Sequence, residues 1–236
     1  MSAMQSTSAA QQEIARFDRL AHDWWDRKGP MRPLHQMNPA RIGWIARHIG
    51  PAPLRVLDVG CGAGLAAEAL ARLGHHVTGL DAAGEAIEAA RAHAAGENLT
   101  IDYRIGIPED LVARGESFQV VTALEVIEHV TDPEKFIRLL ARLVAPGGLV
   151  FVSTLNRTPL AFATAKVGAE YLLRWLPRGT HDWRKFVTPV ELGRMLRNAG
   201  MRLTDLSGLV PDATSGGWKA GGTPAVNYIA CAIANS

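Results

Sequence analysis

The sequence predicts an α/β protein with a doubly wound, mostly parallel sheet, and three observations carry that prediction. Val56-Leu57-Asp58-Val59 is an apolar run holding one carboxylate, and it leads into Gly60, Gly62 and Gly64 at alternate positions. This is the pattern of a buried strand turning tightly into a helix, where glycines permit unusual dihedrals or the close approach of a ligand. Val77-Thr78-Gly79-Leu80-Asp81 reads as a second strand ending in a carboxylate, seventeen residues after Gly64. In a nucleotide-binding βαβ unit such a carboxylate takes the two ribose hydroxyls, so the pair points to an adenosine-bearing ligand. Strand and helix patterns then alternate along the chain, which predicts helices on both faces of the sheet.

The elements follow in order. Residues 1–10 are polar and are expected to be disordered. Gln11 to Asp26 carries Ile14, Phe17, Leu20, Ala21, Trp24 and Trp25 at i, i+3, i+4 spacing, an amphipathic helix that either covers the sheet or closes over the ligand. Lys28 to Pro39 reads as a Gly/Pro-rich connection, and Pro39 to Ile49 as a second helix carrying Arg41. Strands are expected at 55–59, 76–80, 100–104, 118–123 and 148–154, with helices at 64–73, 83–95 and 133–144. Pro146-Gly147-Gly148 reads as a stop between the last of these helices and its strand. Glu191 to Ala199 is a further helix, and two late strands near 201–207 and 226–233 close the sheet.

Between 154 and 191 lies a segment too long for an ordinary connection. Pro159 to Leu176 reads as a helix in which Lys166, Glu170 and Arg174 form one narrow polar stripe. Much of its remaining circumference is apolar, more than a helix lying on a core needs. Arg157, Arg178, Arg184 and Lys185 flank it.

Length and composition set bounds. A chain of 236 residues with 47% hydrophobic content fits a single domain, 1–236. It divides into N-terminal helices (1–50), a ligand-binding core (51–156), a helical insertion (157–187) and a C-terminal helix with closing strands (188–236). A formal net charge of +2 gives no basic field that would draw nucleic acid. Cys61 sits in the glycine turn, a poor place for a disulfide with the distant Cys231, so a reducing compartment is favoured. No signal-peptide or membrane-spanning pattern is present. The expected location is the cytoplasm, with or without peripheral attachment to a membrane.

The glycine spacing discriminates between cofactors. A dinucleotide fingerprint wants Gly-x-Gly-x-x-Gly so that a helix N-terminus meets a pyrophosphate. Here the third glycine comes one position early, at Gly64, and position 65 is Leu65. Asp58, two residues before the first glycine, would repel a pyrophosphate but suits a cofactor carrying an amine and a sulfonium. The combination resembles motif I of the Rossmann-like S-adenosylmethionine-dependent methyltransferases. A nicotinamide enzyme and a purely structural glycine turn are the alternatives.

Leu124-Glu125-Val126-Ile127-Glu128-His129 follows the strand ending near 123, beyond the carboxyl end where open α/β sheets bind ligands. If helical, it places Glu125 on one face with Glu128 and His129. His129 can take a proton from an acceptor hydroxyl, oriented by a carboxylate such as Glu125. Alternatively, Glu125, Glu128 and His129 bind a divalent ion that lowers the acceptor's pKa, or form only a capping and salt-bridge cluster. Arg41 is a candidate fixed cation for the cofactor's carboxylate. His35 fits a structural hydrogen bond, and His181 with Asp182 are further candidates for an acceptor pocket.

Beyond motif I, residues 11 to 231 resemble the bacterial ubiquinone-biosynthesis O-methyltransferases. The resemblance rests on Trp24-Trp25-Asp26, Pro33-Leu34-His35 with Asn38-Pro39 and Arg41, Val56 to Gly64 and Glu125 to His129. It continues through Ser153 to Arg157, Gly168 to Tyr171, Gly179 to Asp182 and Val226-Asn227-Tyr228. It implies a Rossmann-like methyltransferase sheet with a helical insertion after the fifth strand. It also implies methyl transfer from S-adenosyl-L-methionine to hydroxyls of polyprenylated catechols and 3-demethylubiquinol. Carried onto this chain, cofactor contacts fall on Arg41, Gly60, Asp81 and Leu124, beside Asp58 and Gly62 from the residue reading. The eukaryotic relatives' association with magnesium (Mg2+) bears on Glu125, Glu128 and His129. A polyprenyl tail, at roughly 0.8 kcal/mol per buried methylene, keeps the acceptor in the bilayer. That implies a membrane-touching lid at 157–187, peripheral attachment to the inner membrane, and other enzymes of the pathway as partners. Two rivals remain: a methyltransferase with another small-molecule acceptor, and a cofactor-binding scaffold without turnover.

Overall fold

The computed structural model describes residues 11–164, 183–214 and 216–235. In chain order the elements are α1 (Gln11–Leu20), α2 (Arg32–Ile49), β1 (Arg55–Val59), α3 (Leu65–Arg72), β2 (His76–Asp81), α4 (Gly84–Gly96), β3 (Asp102–Ile105), α5 (Pro108–Ala113) and β4 (Phe118–Leu124). They continue with α6 (Pro133–Leu143), β5 (Val144–Leu155), α7 (Pro159–Ala161), α8 (Pro189–Asn198), β6 (Met201–Asp212), β7 (Gly217–Ala220) and β8 (Asn227–Ala234).

The strands form one eight-stranded sheet in the order β3-β2-β1-β4-β5-β8-β6-β7. Pairing is parallel from β3 across to β5. β8 runs antiparallel to both β5 and β6, and β7 antiparallel to β6. Side chains alternate between the two faces. Leu57, Val121, Val150, Val152 and Tyr228 enter the core under α6 and α8. Val56, Val120, Phe151 and Ile229 enter the core under α2, α3 and α4. A sheet covered on both faces needs the near-continuous apolar strands that the sequence shows.

α6 shows how local and tertiary terms combine. Asp132 accepts a hydrogen bond from Lys135 N at 2.8 Å, and Pro133 follows at the first helical position. The cap is worth about 1 kcal/mol. Phe136, Ile137, Leu139, Leu140 and Leu143 are all buried, at roughly 1.5–3 kcal/mol each. The cap fixes where α6 begins, and the apolar face fixes where it lies.

Several elements differ from the sequence expectations. α2 begins at Arg32, seven residues before Pro39, and carries Pro39 in its interior. An interior proline costs about 3 kcal/mol; burial of Met37, Ile42, Trp44 and Ile45 on the same helix exceeds it. β5 starts at Val144 and runs through Pro146-Gly147-Gly148, with a register shift against β4 near Val120 in place of the expected stop. α5 and β7 had no counterpart in the sequence patterns. Leu124 to His129 is not helical: the chain leaves β4 through a turn, with Glu125 at φ 59°. The expected disorder of 1–10, most of the expected helix at 159–176, and His181 with Asp182 lie outside the described residues. Within 157–187 the described helical pieces are α7, a π-helical stretch at 162–164 that continues it, and a 3-10 turn at Trp183–Lys185. Cys61 and Cys231 are both free and buried.

Candidate active site

Parallel pairing of β1 with β2 and β4 brings the carboxyl ends of the three strands together at Val59, Asp81 and Leu124. β1 and β4 also mark the point where the chain changes direction across the sheet, the usual ligand crevice of an open α/β sheet. A cavity of about 400 Å³ opens there. Its floor is the glycine turn. Gly60 and Cys61 donate their N–H groups to Leu80 O at 2.7 and 3.2 Å, which ties the turn to β2. Gly62 takes φ 53°, and a Cβ there would stand 2.2 Å from Trp24 Cζ2. This position therefore needs glycine both for its left-handed backbone and for the indole lying against it. Asn38 Nδ2 donates to Leu65 O at 2.9 Å, fastening α2 to the start of α3.

Asp81 closes the turn. One carboxylate oxygen accepts the Gly62 N–H at 2.8 Å and the other the Ala83 N–H at 2.9 Å. Burial pushes its pKa up, against these two hydrogen bonds. Each carboxylate oxygen accepts more than one hydrogen bond, so both can still receive hydroxyls from the cavity. Gly106, Ile107 and Pro108, from the β3–α5 connection, line the wall beside it.

Asp58 and Arg41 face the same cavity and are almost fully buried, 2% and 3% exposed. Asp58 Oδ1 accepts from Thr122 Oγ1 at 2.6 Å, while Oδ2 has no hydrogen-bond partner. Burial raises Asp58 to about 6, opposed by the Thr122 hydrogen bond and the Arg41 charge. Arg41 Nη1 lies 3.7 Å from Glu125 Oε1, and Nε has no partner. Burial pulls the guanidinium pKa down, and Glu125, Asp58 and Glu128, in that order, pull it back. Three carboxylates around one guanidinium leave a negative excess that an entering cation would relieve. The two orphaned atoms, one acidic and one basic, fit the ammonium and carboxylate of an amino acid, because buried polar groups without partners are otherwise costly. The site thus fits an adenosine-bearing cofactor ending in an amino acid.

The turn after β4 separates the three groups expected to act together. Glu125 accepts from Ser153 Oγ at 2.7 Å, and Glu128 from Thr154 Oγ1 at 2.9 Å. Burial, then the Glu125 charge, raises the Glu128 pKa. His129 Nδ1 lies 3.1 Å from Glu13 Oε2. Among the described residues no group of three His, Cys, Asp or Glu is placed to hold a metal ion. Glu125, Glu128 and His129 therefore do not fit a shared ion in this arrangement. The cause is local: a helix would stack their side chains on one face, whereas the left-handed Glu125 turns each toward a different neighbour.

The roof is the N-terminal arm. Glu13, Ile14, Phe17, Leu20 and Trp24 line the cavity. The arm is fastened at three further points. Asp18 Oδ1 accepts the Glu85 N–H at the start of α4 at 3.0 Å. Trp25 Nε1 donates to Ala63 O at 3.1 Å, and its ring stacks on His93 with centroids 3.4 Å apart. His35, expected to be structural, has Nε2 2.8 Å from Trp24 O and its ring edge against Trp25.

Leu124 lines the cavity at the end of β4, as do Gly60 and Gly62 in the turn. The residue patterns had not singled out Glu13, Thr122 or Asn227. Thr122 is paired directly with Asp58 across β1 and β4, and its signal was a lone hydroxyl in an apolar strand. Asn227 is buried in the cavity wall, its Nδ2 3.3 Å from Met37 Sδ and its Oδ1 without a partner. Glu13 had no signal, since nothing in a polar helix position marks a contact with a residue 116 positions later.

Sheet order, glycine turn and strand-end carboxylates define the class: an S-adenosylmethionine-dependent methyltransferase. The "Methyltransferase domain" family matches residues 16–206. The fold is shared with magnesium protoporphyrin IX methyltransferase of Synechocystis PCC 6803, solved with bound SAH. That likeness has TM-score 0.67 and 19% identity over 94% of this chain and 95% of that one. A Thermotoga maritima SAM-dependent methyltransferase, described as a possible histamine N-methyltransferase, is similar at TM-score 0.63 and 18% identity, over 94% and 98%.

The nearer relatives narrow the class. The ubiquinone biosynthesis O-methyltransferase of Methylobacterium sp. (strain 4-46) is 49% identical, covering 97% of both chains. That of Xanthomonas axonopodis pv. citri (strain 306) is 47% identical, covering 97% of this chain and 96% of its own. The chain belongs to the ubiquinone biosynthesis O-methyltransferase family.

Proposed function

We propose that this protein methylates hydroxyl groups of polyprenylated catechol and 3-demethylubiquinol intermediates of ubiquinone biosynthesis. The observation that carries the reading is a cavity that joins Asp58, Arg41 and the glycine turn to His129. When bound, S-adenosylmethionine supplies a methyl carried on a sulfonium, which passes to the acceptor oxygen while the bonding pair stays on sulfur. Arg41 and Asp58 hold the amino-acid end, and Asp81 receives the ribose hydroxyls. Gly60, Gly62 and Leu124 shape the walls that set the direction of the methyl. His129 takes the hydroxyl proton, because a phenol of pKa ~10 is scarcely ionised at neutral pH. Positioning of the two reactants supplies much of the remaining rate. The arm residues Ile14, Phe17 and Trp24 keep water from the reacting oxygen.

Methyl transfer from labelled S-adenosylmethionine to a short-chain prenylated catechol tests this reading. Transfer is expected, and it should persist in the presence of a chelator. No transfer with cofactor binding intact would move the reading to another acceptor or to a scaffold. Loss with the chelator and recovery with magnesium would restore the ion.

Contact with a membrane surface through 157–187 belongs to the same proposal, as do peripheral attachment to the inner membrane and association with other enzymes of the pathway. Among the described residues no helix is long and apolar enough to cross a membrane. Leu160 and Phe162, at the start of the segment, are 52% and 41% exposed. An apolar surface flanked by basic residues suits an interfacial anchor. Replacing both with glutamate should weaken binding to anionic liposomes in a flotation assay and spare cofactor binding. Unchanged flotation would remove this part of the proposal.

A further inference from the structure

The contacts around His129 come from an unexpected element. Glu13 and Phe17 stand one turn apart on α1, so both project from one helix face. Glu13 Oε2 lies 3.1 Å from His129 Nδ1, an ion-pair distance, without the alignment of a hydrogen bond. The Phe17 ring meets the imidazole at 86°, centroids 5.4 Å apart. The helix thus meets the imidazole with a charge beside its nitrogen and an aromatic ring against its face or edge. His129 and Glu13 are 16% and 21% exposed, so the pair is largely shielded from water. Both residues also line the cavity. The acidic residues nearest in sequence have other hydrogen-bond partners: Glu125 accepts from Ser153 and faces Arg41, Glu128 accepts from Thr154, and Asp132 caps α6; of these, Glu128 still feels the His129 charge.

We propose that Glu13 is the positioning residue for His129, so that the base is assembled only when α1 is seated over the cavity. A carboxylate charge beside Nδ1 favours the proton on that nitrogen and leaves Nε2 as the basic atom of the neutral ring. It also stabilises the imidazolium formed when the hydroxyl proton arrives. The oxygen's proton moves to Nε2, the Nδ1 proton stays in place, and Glu13 remains ionised. α1 would then link cofactor retention to chemistry: the helix that roofs the cavity also supplies the partner that readies the base. An open arm would leave His129 without that partner, which guards against deprotonation before the site is closed. The inference rests on His129 acting as the base.

The test uses the full chain with Glu13→Gln, Glu13→Asp, His129→Gln and the Glu13→Gln/His129→Gln double variant. Glu13→Gln keeps the shape of the roof and removes the charge. Its kcat should fall by about tenfold or more, while KM and Kd for S-adenosylmethionine hold. Glu13→Asp should recover part of the loss. On the His129→Gln background, Glu13→Gln should cost nothing further, since two residues acting as one unit are not additive. Wild-type kcat in Glu13→Gln would overturn the proposal. So would a loss that is additive with His129→Gln, or one that tracks weakened cofactor binding, because either marks a role in packing alone. Full turnover in His129→Gln is a different result: it removes the base reading itself, whatever Glu13→Gln does.

Discussion

Replacing His129 with glutamine is expected to lower kcat by about 10²- to 10⁴-fold, the usual range for a positioned general base. The affinity for S-adenosylmethionine should stay unchanged, because the imidazole stands apart from the Asp58–Arg41 pair and the glycine turn. Glutamine approximates the reach of histidine and leaves Phe17 a surface to pack on, so the roof should survive. Its amide accepts hydrogen bonds but not a proton at neutral pH. A phenolic acceptor of pKa ~10 is ionised to roughly one part in a thousand at pH 7. Without a base, turnover falls back on that fraction. Single-turnover kinetics with a prenylated catechol, beside calorimetric titration of the cofactor, separates chemistry from binding. Wild-type turnover in the variant would take His129 out of the mechanism.

Asp58→Asn is expected to weaken cofactor binding roughly ten- to hundredfold, the worth of one charge-assisted hydrogen bond to an ammonium. The same change should make the cofactor-free protein more stable at neutral pH. Burial holds Asp58 near 6, above its ordinary value of 3.8. A carboxylate raised in this way contributes its full stability below its unfolded pKa, and loses it as pH rises through the folded one. The gap is on the order of 3 kcal/mol at neutral pH. In a domain of this size each kcal/mol moves Tm by roughly 2–4 °C. The variant without cofactor should therefore melt several degrees above the wild type at neutral pH. The advantage should shrink as pH falls below about 6 and disappear near 4. Thermal melts across this range check it. A variant that melts lower at neutral pH would mean that the Asp58 charge stabilises the cofactor-free fold through Arg41.

Legibility in the sequence followed the range of the interaction. The order β1, glycine turn, α3, β2 could be read because each step is local: an apolar strand, three glycines and a helix pattern sit within eighteen residues, 55–72. Asp58 and Asp81 were legible for the same reason, since a carboxylate in an apolar run stands out. α2 was read seven residues short because proline was weighed as a breaker without the burial on its helix that outweighs it. The Leu124 to His129 turn was illegible: helix and turn place the same residue types in the same order, and only the pairing of β4 with β5 fixes which forms. Glu13 and Asn227 enter the site by tertiary packing alone. A cluster of Glu, Glu and His on six residues suggested one shared site, but Ser153, Thr154 and Glu13 divide it.

The place of β8 has a consequence for how the molecule is made. It follows β6 in the chain yet inserts between β5 and β6. Until Asn227–Ala234 has been synthesised and has found its slot, β5 and β6 each present an open row of backbone donors and acceptors. Unpaired edges of this kind recruit other chains. Pairing partners far apart in sequence also come together slowly. The interval before β8 docks should therefore be the time when a nascent chain is most prone to aggregate and most in need of a chaperone.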